Sequence, residues 1–379
     1  MFEDYKGVID LDLVLKESYN YKYDSNNLED FYNQDFIEME GNGLTAMCWI
    51  KYQDNKYLFK PMKDSCINIW GELLSNQLAK QIGIPCCNYR AGKLGNKYGV
   101  ITEKINKKEE TLILGSEIIQ EFFDYYPEIK KKYITEMLTD PKNNNCYNQQ
   151  HHLFNHLNNL EQIWFILSSF DNIKKNNSKN YNFSTLNQEA INSIITFLSV
   201  MLIFDIVTLQ ADRNVNNWAV LYNTKEFKPC PLYDNAISFG LGYNNMKERV
   251  HDFRNQVLNY KYFNDDINIQ SYIYKPSPLF TLSSENKNEQ KPRKHNNILK
   301  VFDEFLTKLD DNYKEIAYYL IQSIEDENFS NLITKTEIEN GIVMDAEVRF
   351  YIESTMKFHY KYLNEIINKH KVRSSINAK

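Results

Sequence analysis

The longest apolar stretch of the chain, AINSIITFLSVMLIFDIVTL at residues 190–209, runs directly into a short loop crowded with polar groups. Asn192, Ser193, Ser199 and Asp205 interrupt the run, so it falls short of the ~18 continuous apolar residues that mark a membrane span. It reads as a buried helix. A strand-like run, WAVLY, follows the loop, which is therefore anchored at both ends by buried structure. Within it, DRNVNN at 212–217 places an aspartate, an arginine and three asparagines beside a core. Asparagine is abundant throughout, with Lys, Ile and Tyr, as an AT-rich genome would give. Spacing, and not composition, has to carry the argument.

The chain has 379 residues, enough for one large domain or two lobes with a sizeable core. Hydrophobic content of 42% and charged content of 25% are ordinary for a globular protein. A net charge of −6 offers no electrostatic signal for direct nucleic-acid binding, and no membrane signal appears. Local basic runs such as EIKKKY and NIKKNNSKN read as solvated faces or loops. The six cysteines, at 48, 66, 86, 87, 146 and 230, form no C-x-x-C pair, and adjacent Cys86 and Cys87 do not have zinc spacing. With no signal-peptide pattern, free thiols in a reducing cytosol are expected. The expected localisation is cytoplasmic, the alternative being a secreted effector exported without a cleaved signal.

Residues 1–40 are acidic and aromatic with poor periodicity, and are expected to form an irregular or partly helical lead-in. GLTAMCWIKY and KYLFKPM flank QDN as a hairpin. INIWGELLSNQLAKQIG then carries Ile69, Leu73, Leu74, Leu78 and Ile82 near helical spacing, with Gly83 as the stop. IPCCNYRAGKL and NKYGVITEKI read as two further strands joined at GN. From residue 111 onward the pattern turns helical, with helices expected at 115–124, 128–138, 153–170 and 187–209. Two short strands, 217–222 and 228–233, form a hairpin turning at NTKEF, and residues 282–296 look like a linker. The expected domains are a lead-in at 1–40, a small α+β lobe at 41–105 and a large helical lobe at 106–379.

Asn217 follows Asp212 by five residues, and Asp234 closes the second strand of the hairpin. A hairpin returns on itself, so the start of its first strand and the end of its second share a small volume. One amide and one or two carboxylates there suit Mg²⁺, a hard cation that keeps waters and recruits phosphate oxygens. Phosphoryl transfer from ATP needs such a metal site, a carboxylate facing the attacking hydroxyl and a lysine on the phosphates. Asp-x-x-x-x-Asn followed by a hairpin and a further Asp has the spacing of a protein-kinase catalytic loop. Lys60 ends a strand and Glu72 lies in the first turn of the next helix, which matches in order, type and element the protein-kinase arrangement of a strand lysine with a helix glutamate nearby. Gly41 and Gly43 precede the first strand and could close over phosphates through their backbone N–H groups.

YLFKP, GELLSNQLAKQIGIP, GVITEKI, DRNVNNWAVL and PLYDNAISFG together resemble the HipA-like serine/threonine kinases, relatives of protein kinases and phosphatidylinositol kinases. The likeness runs in family order across roughly residues 41–240. It implies an α+β, bilobal protein-kinase-like fold, with a small β-rich N-lobe around one main helix. The C-lobe would be large and mostly α-helical, with a β-hairpin at the active site. It further implies an autophosphorylating enzyme using ATP and Mg²⁺, with a protein substrate and a possible antitoxin or regulatory protein partner. By this resemblance Asp212 is the catalytic base, Asn217 and Asp234 are metal ligands, and Lys60 is the ATP lysine paired with Glu72. Glu103, Lys104 and Ile105 would form the adenine-contacting hinge, and Thr45 would be a site of autophosphorylation. The family loop often carries His where this chain has Asn214, which can donate a hydrogen bond but cannot carry a proton or positive charge. No pattern of the N-terminal small domain found in longer relatives is evident in residues 1–40.

Two other classes fit parts of the pattern: a lipid kinase of the phosphatidylinositol type, and a catalytically weak nucleotide-binding interaction module. Asp205 is expected to hydrogen-bond the catalytic loop in a structural role, and Trp218 to lie in the core. His152 and His156 have a zinc-compatible i, i+4 spacing, but no further ligand follows at a useful distance, so a helix surface is expected.

Overall fold

A computed structural model of the chain describes residues 7–13, 37–39, 47–52, 55–62, 67–137, 153–154, 156–170, 181, 183–210, 212–241, 247–248, 250–253, 298–308 and 311–377. The strands are β1 (Ile9–Asp10), β2 (Ile37–Met39), β3 (Cys48–Tyr52), β4 (Asn55–Pro61), β5 (Arg90–Leu94), β6 (Lys97–Glu103), β7 (Thr111–Leu114), β8 (Ala219–Tyr222) and β9 (Phe227–Pro229). The helices are α1 (Ile69–Ile82), α2 (Gly115–Tyr125), α3 (Pro127–Met137), α4 (Leu160–Phe170), α5 (Gln188–Val207), α6 (Ile298–Lys308), α7 (Asp311–Gln322), α8 (Asp326–Asn340) and α9 (Ala346–Asn377). They form two compact units. The first takes Met1–Ile105, Pro231–Ile273 and Leu320–Lys361, and the second takes Asn106–Cys230, Tyr274–Tyr319 and Tyr362–Lys379.

The first unit is built on a six-stranded sheet in the order β1-β5-β6-β4-β3-β2. Its four inner strands and α1 follow the expected order of strand, strand, helix, strand, strand. The two edges come from the segment expected to be irregular: β1 pairs parallel to β5, and β2 pairs antiparallel to β3. These edges are two and three residues long, too short for period-two patterning to stand out in a sequence. β4 alternates as a strand covered on one face should, burying Tyr57, Phe59 and Pro61 while Lys60 takes the other side. α1 is buried from Ile69 to Ala79, packed against β5, β6 and α8. It ends at Gly83, whose φ of 76° is the left-handed conformation that closes a helix most easily without a Cβ.

The second unit holds a three-stranded sheet in the order β7-β8-β9. β7 lies where the sequence was expected to be helical already. Thr111, Leu112, Ile113 and Leu114 instead pair along β8, and Ile113 turns into the core. α5 packs on α4, α6 and β9. It is the one described helix long and apolar enough to cross a membrane, and every residue from Met201 to Val207 is buried within the protein. The helix expected over 153–170 is interrupted: residues 153–154 and 156–157 are helical, and after a break at Asn158 and Asn159 α4 starts at Leu160, with Asn159 accepting the Gln162 N–H at 3.0 Å. Phe170, Phe183 and Phe227 stack in series, with centroids 4.1 and 5.3 Å apart, and tie α4 to the β8–β9 hairpin.

Candidate functional site

In the first unit, three chain segments meet at Lys60. Its Nζ donates to Glu72 Oε1 at 3.1 Å and also contacts Asp234 Oδ1. Glu72 is fully buried on α1, and its second oxygen accepts the Asn235 N–H at 2.8 Å. One carboxylate thus orients both the lysine and the backbone after Asp234. Gly71 makes this approach possible. A Cβ at that position would lie 2.2 Å from the Ala236 carbonyl oxygen and 2.8 Å from that of Asn235, so only glycine lets α1 run against this backbone.

Burial works against the Lys60 ammonium, but the Glu72 and Asp234 carboxylates outweigh it and hold the lysine above its ordinary value. It is therefore a fixed positive charge at neutral pH. Asp234 has a φ of 55°, which aspartate tolerates better than most residues, and its side chain is 36% exposed. The segment before it is fixed by a parallel bridge between Cys86 and Leu232. Cys87 donates to the Leu232 carbonyl at 2.8 Å, and Leu232 donates to that of Pro85 at 2.9 Å.

The residues expected at a hinge lie at the end of β6. Glu103 is its last residue, and the Lys104 N–H continues the pairing to β4 by donating to the Lys56 carbonyl at 2.9 Å. Gly41, Gly43, Thr45 and His152 lie outside the described residues. His156 is described, on the edge of the Tyr133 ring.

In the second unit, the loop between α5 and β8 is a closed network of hydrogen bonds. Leu209 leaves the helix with a φ of 57°. Gln210 donates its N–H to the Asp205 carbonyl at 2.8 Å and accepts the Asp212 N–H on its side chain at 3.1 Å. Arg213 turns inward and is 1% exposed. Its Nε and Nη2 donate to the two Asp205 oxygens at 2.9 and 2.8 Å, while Nη1 reaches the Asn217 carbonyl at 2.8 Å. Burial pushes the Asp205 carboxyl up, against the opposing pull of Arg213. Asn158 accepts from the Trp218 indole and donates to the Arg213 carbonyl, at 2.8 and 2.7 Å. The Gly115 and Ser116 N–H groups reach the Trp218 and Val215 carbonyls, both at 3.0 Å.

This accounting explains how polar residues can sit beside a core: buried polar groups need partners, and the loop, Asp205, Asn158 and the start of α2 supply them. Asn217 donates to the Asp212 carbonyl at 2.6 Å. Asn214 accepts the Asn216 N–H at 2.8 Å and donates to Asp212 Oδ1 at 3.1 Å, fixing the rotation of that carboxylate. Asn216 itself is exposed.

Each residue taken by itself offers an oxygen donor of the type that suits a hard cation such as Mg²⁺. In the second unit Asn217, its nitrogen committed to Asp212, presents Oδ1, which accepts no hydrogen bond from any described residue; in the first unit Asp234 presents a part-exposed carboxylate. Among the described residues, no group of three or more His, Cys, Asp or Glu could hold a metal.

Lys60, Glu72 and Asp234 are thus brought together within the first unit, and Asp212 and Asn217 within the second. Sequence reasoning passed over Arg213, Asn158, Tyr89 and Asn235. The Arg213 contact had a readable signal in Asp205, the one acidic residue inside the apolar run.

No family model matches this chain, and no curated protein does. Among solved structures, the chain is similar to the Helicobacter pylori proinflammatory kinase CtkA, with a TM-score of 0.55 over 90% of this chain and 97% of that one at 14% identity. It is also similar to HipA of Shewanella oneidensis MR-1, solved in complex with HipB and operator DNA. There the TM-score is 0.47 over 96% of this chain and 72% of that one, at 9% identity. The first comparison is the one that bears on the fold. The fold is protein-kinase-like: an α+β chain with a β-rich N-terminal sheet and a helical C-terminal region.

Proposed function

We propose that this chain is a serine/threonine protein kinase that uses ATP with Mg²⁺ and phosphorylates itself as well as a protein substrate. The observation that carries the reading is the Lys60 ammonium held by both Glu72 and Asp234, partners 12 and 174 positions away. Together with a kinase-like fold, it supports phosphoryl transfer over the many other uses of a buried lysine. In this reading Lys60 takes an ATP phosphate, and Glu72, itself oriented by the Asn235 N–H, keeps the ammonium in place before nucleotide arrives. The phosphate-covering role read from the sequence for Gly41 and Gly43 belongs to the same proposal. Since the Lys104 N–H is committed to Lys56, adenine contacts would come from Glu103 and Ile105. Asn217 through Oδ1 and Asp234 through its carboxylate would hold Mg²⁺, whose charge when bound offsets that of the phosphates.

Asp212 accepts the proton of the attacking hydroxyl. Asn217 fixes its main chain and Asn214 fixes its carboxylate. The amide of Asn214 gives the orientation without adding a titrating group of its own. A reducing, cytoplasmic site of action and a regulatory protein partner belong to the same proposal. The test is transfer of labelled γ-phosphate from ATP to the chain itself and to a general protein substrate. Asp212→Asn should reduce transfer by about 10²-fold or more with an unchanged circular-dichroism spectrum. Undiminished labelling by the folded variant would remove Asp212 from the reaction.

A further inference from the structure

Resting on that reading, we infer that Tyr89 is a positioning residue for Asp234: its hydroxyl sets the backbone from which the metal-binding carboxylate projects. The parallel bridge fixes the register, because Cys87 donates to Leu232 and two residues further along both chains stand Tyr89 and Asp234. The Tyr89 hydroxyl oxygen accepts the Asp234 N–H at 3.3 Å. Tyr89 is 5% exposed, and its carbonyl accepts from Asn76 Nδ2 on α1 at 3.0 Å, so the ring is held from both ends.

Asp234 carries a left-handed φ of 55°, a conformation that needs surrounding contacts to hold it. Two neighbouring N–H groups provide such contacts: that of Asp234 goes to Tyr89, and that of Asn235 to Glu72. Glu72 also holds Lys60, so its contribution cannot be separated from the lysine. The Tyr89 contact can be, because removing one oxygen leaves Lys60 and Glu72 untouched. The hydroxyl proton meets no acceptor among the described residues, so what Tyr89→Phe removes is the acceptor for Asp234.

The measurement is ADP affinity by calorimetry, with and without Mg²⁺, on the full chain. The ratio of the two affinities reads metal binding independently of phosphoryl transfer. Tyr89→Phe should leave the affinity in EDTA unchanged and lower the Mg²⁺-dependent gain about 3- to 10-fold, the weight of one net hydrogen bond. A purely structural role would lower both affinities together and leave the ratio alone. Asp234→Asn should abolish the gain, and adding Tyr89→Phe to it should change nothing further. If Asp234→Asn keeps the gain, the metal reading itself fails. If Asp234→Asn loses it while Tyr89→Phe retains all of it, only the role of Tyr89 is overturned. Tyr89→Met, which also removes the hydroxyl, gives a second reading of the same ratio should the phenylalanine variant be poorly folded.

Discussion

Replacing Asp205 by alanine removes both carboxylate oxygens that accept from a guanidinium with almost no access to water. The two side chains are 1% and 2% exposed, and the pair is bidentate, with contacts of 2.8 and 2.9 Å. After the substitution the guanidinium keeps its Nη1 bond to the Asn217 carbonyl but loses both carboxylate contacts, and its positive charge stays buried without its anion. Breaking a buried pair from one side costs about 3–5 kcal/mol. Set against a urea m-value of roughly 3 kcal/mol per molar, this lowers the unfolding midpoint by about 1–1.7 M. Urea titration followed by circular dichroism and tryptophan fluorescence measures it, with Trp218 a reporter inside the same network. The double variant Asp205→Leu with Arg213→Met removes the charge together with its partner and should recover most of the loss. An Asp205→Ala midpoint close to wild type, or a double variant no more stable than the single one, would refute the view of the loop as clamped by this ion pair.

Gly71→Ala forces a methyl to within 2.2 Å of a backbone oxygen that no side-chain rotation can move. It should cost about 1–3 kcal/mol and, by moving α1 off residues 235–236, weaken ADP binding; an unchanged melting temperature and ADP affinity would show that α1 has slack there. Acid should selectively loosen the second unit. Lys228 and the Lys107 N–H hold the Glu110 carboxyl below its usual range, while burial of Asp303 is outweighed by His370 and Lys369, which hold its carboxyl low as well. Both are ionised in the folded state where the unfolded chain already takes up protons. Their stabilisation is therefore full above about pH 4.3 and is lost as pH falls through the folded values. The stability gap between wild type and a Glu110→Gln, Asp303→Asn double variant should close on acidification, and a gap constant from pH 6 to pH 3 would contradict this.

Much of the first unit was legible because its signals are local. Leu73, Leu74 and Leu78 repeat at helical spacing and Gly83 stops the helix, while Phe59 and Lys60 alternate along a strand. That Lys60, Glu72 and Asp234 meet was legible because a strand lysine, a helix glutamate and an Asp closing a hairpin are the pattern the sequence resembles. Contacts that exist only after folding were not. The need for glycine at 71 arises from a backbone 165 positions away at Ala236, and Tyr89 is defined by a strand register that no spacing announces. β7 was missed because TLIL, read alone, could equally open the helix that follows; its strand identity comes from β8. Arg213 looked like one more polar loop residue until its acceptor, eight positions back in an apolar helix, was seen to need it.

The 2.6 Å bond from Asn217 to the Asp212 carbonyl also restricts how this loop can evolve or be redesigned. Aspartate has the same shape as asparagine and a full negative charge, and so looks like an improvement for the proposed role of holding a cation. Here it would turn a donor facing a carbonyl into a second oxygen facing it, and the lone pairs would oppose each other across that short gap. The attraction gained at one end of the side chain would be offset by repulsion at the other, and the loop backbone would have to open to relieve it. Position 217 therefore rewards a group with two unlike ends, and extra charge is no substitute for that polarity.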